Sequence, residues 1–227
     1  MQCGSFLNDL VAVGTAFRVI IVWKVGDGSV VRKILGHNGL VSDVIWINDE
    51  QLASVSDDRS IRVWERDSQV AEMYGSSKQD GPQGDLQSAS RAGQKKMLKD
   101  FVRQWKVRPL ASGLLATVGE DASLRVFDPK AGRQVVYAKG HMGWNVRALA
   151  VSGNLVATGG EDGSVKVWQL DFQAEQPQLK LRMPLPAQSK AKYNQIRQIH
   201  FSSDSTFVST KIGSVFRVDE AQITELY

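Results

Sequence analysis

The stretch from Ser54 to Trp64, SVSDDRSIRVW, decides the fold because it returns in altered form three more times along the chain. The copies are TVGEDASLRVF from Thr117 to Phe127, TGGEDGSVKVW from Thr158 to Trp168, and a degenerate VGTAFRVIIVW from Val13 to Trp23. Self-similarity of this kind indicates a repeat architecture, and such architectures usually build binding surfaces rather than reaction centres.

The spacing of the copies gives the size of the repeat. From Trp23 to Trp64 the interval is 41 residues, and from Phe127 to Trp168 it is again 41. Between Trp64 and Phe127 it is 63 residues, so this interval contains an insertion. Residues 76–94 are rich in Ser, Gly and Gln and lack apolar periodicity, and we predict that they form a disordered loop. A period of about 40 to 45 residues is that of a four-stranded propeller blade.

Each copy has the pattern of two strands around a tight turn. After the polar residues 57–60, the apolar Ile61 and Val63 alternate with Arg62. This period of two predicts a strand with one buried and one solvated face. The chain is therefore predicted to be all-β, with hairpins joined by polar turns.

These features resemble the WD-repeat (WD40) family, in which a His, a Ser or Thr, an Asp and a Trp form a buried hydrogen-bond chain in each blade. The matching positions are His37, Ser54, Asp58 and Trp64 in one copy, Thr117 and Asp121 in the next, and His141, Thr158, Asp162 and Trp168 in the last. The resemblance implies that these side chains lock the blades.

Two copies depart from the motif. Phe127 replaces the Trp in the copy that contains Asp121, no Gly-His precedes that copy, and Phe17 stands where the first copy should have an Asp. We expect these two blades to depend more on apolar packing. Because Asp162 has both a His and a Trp in its set and Asp121 has neither, we expect Asp162→Ala to destabilise the protein more than Asp121→Ala.

Counting strands predicts a single domain over residues 1–227, a WD40 β-propeller segment of roughly five blades. The first blade is expected to begin at LVAVG, with its innermost strand lying before residue 1. The expected later blades cover residues 41–75, 97–139, 145–185 and 196–227. Most WD propellers close with seven blades, because closure removes open sheet edges. We therefore expect an incomplete propeller from a longer chain.

The motif residues also invite a catalytic interpretation, since His37, Ser54 and Asp58 are the residue types of a hydrolase. Their set recurs in register, however, and nucleophilic triads do not come in tandem copies. The three histidines and the lone Cys3 do not have metal-ligand spacing, and there is no phosphate-binding Gly-rich loop. We predict no catalytic residue, no metal site and no cofactor.

Composition places the chain among ordinary globular proteins, with 42% hydrophobic and 23% charged residues. A single cysteine argues against a disulfide scaffold. The apolar stretch Leu10–Trp23 is too short and too interrupted for a membrane span, and it lacks the basic start of a signal peptide. We expect a cytoplasmic protein.

A finer resemblance covers nearly the whole chain and includes KILGHNGLVSDVIW, FVRQWKV and GHMGWNVRALAVSG. In these stretches the chain resembles the WD-repeat accessory subunit of FtsJ-like tRNA methyltransferases. The resemblance implies a non-catalytic partner of the methyltransferase that helps to present tRNA for 2′-O-ribose methylation of the wobble nucleotide in the anticodon loop. The enzyme, not this chain, would bind S-adenosylmethionine. The alternative is a generic WD scaffold in another complex, such as a ubiquitin-ligase receptor or an endosomal trafficking assembly.

The net charge of +4 gives modest support to an RNA partner. No acidic residue lies between Glu175 and Asp204, a stretch that contains five basic ones: Lys180, Arg182, Lys190, Lys192 and Arg197. Lys190, Lys192 and Arg197 are candidate RNA contacts, and reversing their charge should weaken tRNA binding. The alternative is a solvated linker.

Two tryptophans lie near basic residues. Trp105 is flanked by Arg103, Lys106 and Arg108, and we expect it to be core in an innermost strand rather than a stacking platform. Trp144 follows His141 in a connection between strands, where an exposed aromatic side chain is a candidate partner contact.

Overall fold

The structure is a computed structural model that describes residues 3–66, 68–76, 101–142, 145–171, 178–185, 195–202, 206–210, 215–218 and 223–225. Within these ranges the chain forms 21 β-strands in five antiparallel sheets that follow one another along the sequence. The predicted all-β architecture of roughly five blades is confirmed. No helix in these ranges is long and apolar enough to cross a membrane.

The first blade corrects one expectation. Its strands are β1 (Cys3–Leu7), β2 (Leu10–Gly14), β3 (Ile20–Lys24) and β4 (Val30–Ile34), paired in that order. The innermost strand is therefore present, and the expectation that it precedes residue 1 was wrong. The missed signal is the two-residue turn between Leu7 and Leu10, where Asn8 has a φ of 52°. Asn tolerates this left-handed conformation, which tight hairpins require.

The second blade has the strands β5 (Val41–Trp46), β6 (Gln51–Ser56), β7 (Ser60–Glu65) and β8 (Ser68–Ser76). A short β9 (Phe101–Val102) adds a fifth strand beside β8. Ser76 therefore belongs to a strand, so the predicted insertion cannot begin before residue 77. The rest of the predicted loop, residues 77–94, lies outside the described residues.

The third blade consists of β10 (Gln104–Pro109), β11 (Leu115–Gly119), β12 (Ser123–Asp128) and β13 (Arg133–Lys139). The stretch FVRQWKV, which lies within the expected third blade of residues 97–139, is divided between two blades. Phe101 and Val102 pair with the second blade, and Gln104 begins the third.

The last two blades have the expected boundaries. The fourth consists of β14 (Val146–Ser152), β15 (Leu155–Gly160), β16 (Val165–Asp171) and β17 (Gln178–Leu185). The fifth consists of β18 (Ile196–Phe201), β19 (Thr206–Thr210), β20 (Val215–Val218) and β21 (Ile223–Glu225).

The apolar core is divided into four clusters, one between each pair of neighbouring blades. Trp64 and Val22 meet between blades one and two, and Phe127 and Val63 meet between blades two and three. Blades three and four join through a cluster that contains Trp168, and blades four and five join around Ile196. Each sheet thus buries apolar side chains against its neighbour in the sequence.

The innermost strands of blades two to five share one irregularity. In β5, β10, β14 and β18 the register slips by one residue near the start of the strand, which is a β-bulge. The residues left without a cross-strand partner are Ser42, Trp105, Arg147 and Arg197. The bulge therefore recurs at the same place in four successive blades.

Candidate functional site

The second blade brings its four motif side chains together. The Nδ1 atom of His37 lies 2.9 Å from Oδ2 of Asp58, and its Nε2 atom lies 2.7 Å from the Ser54 hydroxyl. The indole nitrogen of Trp64 donates to the same hydroxyl over 2.8 Å. Ser54 is 0% exposed, so no substrate can reach its oxygen. The set is placed to hold the blade together and not to attack a carbonyl group.

The fourth blade repeats this geometry. His141 lies 3.1 Å from Asp162 through Nδ1 and 2.9 Å from the Thr158 hydroxyl through Nε2. Trp168 donates to that hydroxyl over 3.0 Å. The glycine before the His is needed for close approach, since a Cβ atom at Gly140 would collide with the Trp168 ring.

In both blades a serine two residues after the Asp completes the hydrogen-bonded set, a role that was not predicted from the sequence. Ser60 donates to Asp58 over 2.6 Å, and Ser164 donates to Asp162 over 2.8 Å. The missed signal is the recurrence of Ser after the turn in both copies. Burial alone would raise the pKa of Asp58, but hydrogen bonds from His37 and Ser60 outweigh it and hold the pKa far below its usual range.

The pKa of Asp162 is lowered in the same way. Its burial acts to raise the pKa, and hydrogen bonds from His141 and from the backbone and hydroxyl of Ser164 overcome that effect. Both aspartates are therefore carboxylates that accept several hydrogen bonds, which suits a structural role.

The third blade uses a different polar network, so the expectation that it depends on apolar packing was wrong. Arg125 is 0% exposed and binds Asp121 through two nitrogens, at 3.0 and 2.5 Å. Its Nε donates to the carbonyl of Ser76 over 3.0 Å. Thr117 donates to Gln104 over 2.8 Å, and no indole donates to its hydroxyl, since Phe127 stands at the position of the Trp. An Arg–Asp pair thus takes the place of the His–Asp pair.

The bulged residues line a cavity of about 400 Å³ at the edge where the innermost strands begin, named here the bulge cavity. Its lining consists of the four bulged residues together with Leu40, Asp57, Arg103 and Lys106. Trp105 is half-buried in this wall, so the expectation that it is core was wrong. The bulge removes its side chain from the alternation of the strand, and neither periodicity nor composition signals a bulge.

Two arginines cover Trp105. The guanidinium carbon of Arg147 lies 3.9 Å from the ring centroid, and that of Arg103 lies 5.1 Å away. These are cation–π distances. The Nε1 atom of Trp105 is buried and has no hydrogen-bond partner among the described residues.

An acidic turn residue lies beside the bulge in three blades. Each donates its backbone N–H to the carbonyl two residues before the bulge, as Asp57 does to Leu40 over 2.9 Å. Glu120 and Glu161 are its counterparts in blades three and four. Asp57 lies 3.6 Å from Arg103, and Glu161 lies 3.0 Å from Arg147, so both arginines are charge-paired.

The remaining cations of the bulge cavity differ in their pairing. Lys106 lies 3.5 Å from Asp43, a buried carboxylate that also binds Arg108 at 2.6 Å. Arg197 is exposed and has no ion pair or hydrogen bond within the described part of the chain. It is therefore the unpaired cation of the cavity.

Lys180, Arg182 and Arg197 belong to one basic stretch of the sequence, but they do not lie together in the structure. Lys180 binds Asp171 at 2.8 Å and Arg182 binds Gln169 at 2.5 Å, both at the edge opposite to Arg197. Trp144, Lys190 and Lys192 lie outside the described residues. The ranges described contain no group of three or more His, Cys, Asp or Glu side chains that could hold a metal ion.

Comparison with known proteins identifies the repeats. The family model "WD domain, G-beta repeat" (WD40) matches residues 28–65 and 132–169. The chain is 28% identical over 170 residues to the tRNA (34-2'-O)-methyltransferase regulator WDR6 of Bos taurus, and 27% identical to that of Homo sapiens. Both matches cover 70% of this chain but only 14% of the relative.

Other WD proteins are similar over shorter stretches. The serine-threonine kinase receptor-associated protein of Gallus gallus is 25% identical over 156 residues, which are 60% of this chain and 44% of that protein. A ribosome biogenesis protein WDR12 homolog of Nematostella vectensis is 40% identical over 75 residues, 31% of this chain and 18% of that protein. Residues 28–65 and 132–169 are therefore WD40 repeats, and the serial four-stranded blades are consistent with a partial WD40 propeller.

Proposed function

We propose that this protein is a non-catalytic WD40 scaffold that partners an FtsJ-like tRNA methyltransferase in 2′-O-ribose methylation of the wobble nucleotide. The observation that carries the proposal is the similarity to proteins named as regulators of that methylation, which runs through 70% of the chain. This chain spans about 14% of the length of those relatives.

The non-catalytic role is supported by the geometry of the motif residues. Ser54 and Thr158, the hydroxyls nearest to histidines, are almost fully buried and each already binds both a His and a Trp. A nucleophile needs an accessible oxygen and a site for the substrate beside it. In this proposal the enzyme partner binds S-adenosylmethionine and this chain binds no cofactor.

The second candidate function is a scaffold in another assembly. It is favoured by the similarity to serine-threonine kinase receptor-associated protein, which extends over 60% of the chain at 25% identity. Affinity purification of the full-length protein distinguishes the two. We expect a methyltransferase among the captured proteins, whereas cullin adaptors or coat proteins without it would favour the alternative.

The decisive measurement is wobble-ribose methylation in cells that lack the protein. We expect methylation to fall while the amount of methyltransferase is unchanged, and re-expression of the protein should restore it. Unchanged methylation would refute the accessory role. We place the protein in the cytoplasm in this proposal, which imaging of a tagged copy would check.

Of the candidate RNA contacts Lys190, Lys192 and Arg197, this proposal keeps the two lysines as contacts to tRNA, and Trp144 contacts the protein partner. Lys190→Glu with Lys192→Glu should weaken tRNA association, and the effect should shrink as salt rises, because each phosphate contact releases counterions. The matched control is Lys180→Glu with Arg182→Glu, on the edge opposite to Arg197. Equal losses for the two pairs would contradict a specific RNA contact.

A further inference from the structure

We propose that the bulge cavity binds an acidic segment of a partner protein, with a carboxylate of that segment paired to Arg197 beside Trp105. The inference goes beyond the proposed function and does not depend on which protein is the partner. It rests on the shape of the cavity, on the pairing of its charges, and on the hydrogen-bond donor in its wall that lacks an acceptor.

The shape of the cavity comes from four blades acting together. The bulge places Ser42, Trp105, Arg147 and Arg197 at the same position in consecutive innermost strands, and all four side chains line one space. A volume of about 400 Å³ accommodates one or two amino-acid side chains and lies within the usual range of ligand sites. The cavity is therefore a site for a side chain and not for a folded surface.

An unsatisfied donor favours an acceptor group in the ligand. The Nε1 atom of Trp105 is buried and lacks a hydrogen-bond partner among the described residues, whereas the Nε atom of Arg103 has the Asp57 carboxylate 3.6 Å away. A buried donor without an acceptor costs free energy, typically about 1–3 kcal/mol. A carboxylate offers several lone pairs and can accept from an indole and a guanidinium together.

The charge pairing favours a peptide over a nucleic acid. Arg103, Lys106 and Arg147 already have carboxylates within 4 Å, so among the described residues Arg197 is the cation of the cavity whose charge is free for a ligand. A phosphodiester chain needs several uncompensated cations in a row. A peptide with one acidic side chain among neutral neighbours needs only one free cation.

Nuclear magnetic resonance of the indole N–H groups tests the proposal directly. The Trp105 signal is assigned by its loss in Trp105→Phe, and the protein is titrated to millimolar concentration with a short Gly-Ser peptide that carries a central pair of glutamates. We expect the Trp105 signal to move with saturation, and a peptide with a single central glutamate should suffice, since the cavity offers one free cation. The same peptide with glutamines should leave the signal in place.

Arg197→Ser should weaken binding of the glutamate peptide roughly tenfold, the effect of losing one moderately screened charge pair. Because Arg197 is exposed and unpaired, this variant should melt at the same temperature as the wild type. Arg182→Ser, at the opposite edge, is the control and should bind the peptide normally.

Three results would overturn the proposal. They are a Trp105 signal that does not respond to the glutamate peptide, an equal response to the glutamine peptide, and unchanged affinity in Arg197→Ser. An oligouridine that moves the signal when the glutamate peptide does not would instead assign the cavity to RNA.

Discussion

At the scale of the residue, the same fold position is locked by two different chemistries. Blades two and four use a His–Asp pair, and blade three uses Arg125 with Asp121. The arginine occupies the place in its strand that Arg62 and Lys166 occupy in the neighbouring copies. Arg62 is also buried, at 8% exposure, whereas Lys166 is half-buried. A basic residue on the polar side of a strand is usually solvated, so the sequence pattern does not show which of these residues are buried.

The first prediction reverses the order expected from the motif alone. Asp121→Ala should cost about 3–5 kcal/mol in the free energy of unfolding, because it strips the buried Arg125 of its partner. Asp162→Ala should cost about 1–3 kcal/mol, the loss of hydrogen bonds in a buried network. Chemical denaturation measures both. Adding Arg125→Met to Asp121→Ala should restore part of the stability, and no recovery would contradict the buried-charge explanation.

The second prediction concerns acid. The folded protein holds the pKa values of Asp58 and Asp162 below those of the unfolded chain, so the unfolded chain binds more protons in acid. The stability that these carboxylates contribute is complete above about pH 4, the usual Asp value, and is lost as pH falls toward their folded pKa values. Asp58→Asn should therefore be most harmful at neutral pH. Urea denaturation should show the wild type and this variant converging below about pH 4, and a constant gap would contradict the assignment.

At the scale of the element, strand positions followed from alternation and turn residues, while interruptions of the pattern did not. The hairpins around residues 57–60 and 161–164 and the boundaries of the last two blades were predicted from the repeat. The strand Cys3–Leu7 was missed because CGSFL is short and has no clear polar–apolar alternation. The bulges were missed because they depend on cross-strand register, a property of two strands and not of one.

The third prediction concerns the insertion in the second blade. Ser76 at the end of β8 pairs with Phe101 at the start of β9, so the two ends of the insertion lie side by side. Replacing residues 79–96 with a short Gly-Ser linker should therefore leave the melting temperature nearly unchanged, since closing a shorter loop costs little. Thermal denaturation and limited proteolysis measure the outcome. A replaced chain that fails to fold would show that these residues contribute to the core.

At the scale of the whole molecule, stability comes from a series of interfaces between successive blades. Each apolar cluster joins only two neighbouring blades, so each interface adds its own increment of stability, as in other repeat proteins. The family model matches two separate repeats of this series, residues 28–65 and 132–169.

The fourth prediction tests one interface of the series. A side chain at Gly159 would collide with Ile196 between blades four and five, so Gly159→Val should cost about 1–3 kcal/mol through overpacking. Hydrogen exchange should show faster opening of blade five, with blades two and three unaffected. Gly26→Ala, where a Cβ atom meets nothing within 4 Å, is the control. Uniform destabilisation of all blades would contradict a serial arrangement.

The repeated bulge separates the residues that line the cavity from the residues that pair the strands. Ser42, Trp105, Arg147 and Arg197 have no cross-strand partner, so a substitution at any of them leaves the pairing register of its strand intact. Each of the four side chains is presented by its own blade to a common space. Substitutions at these positions can therefore change which ligand the cavity accepts while the strand pairing that folds each blade is kept.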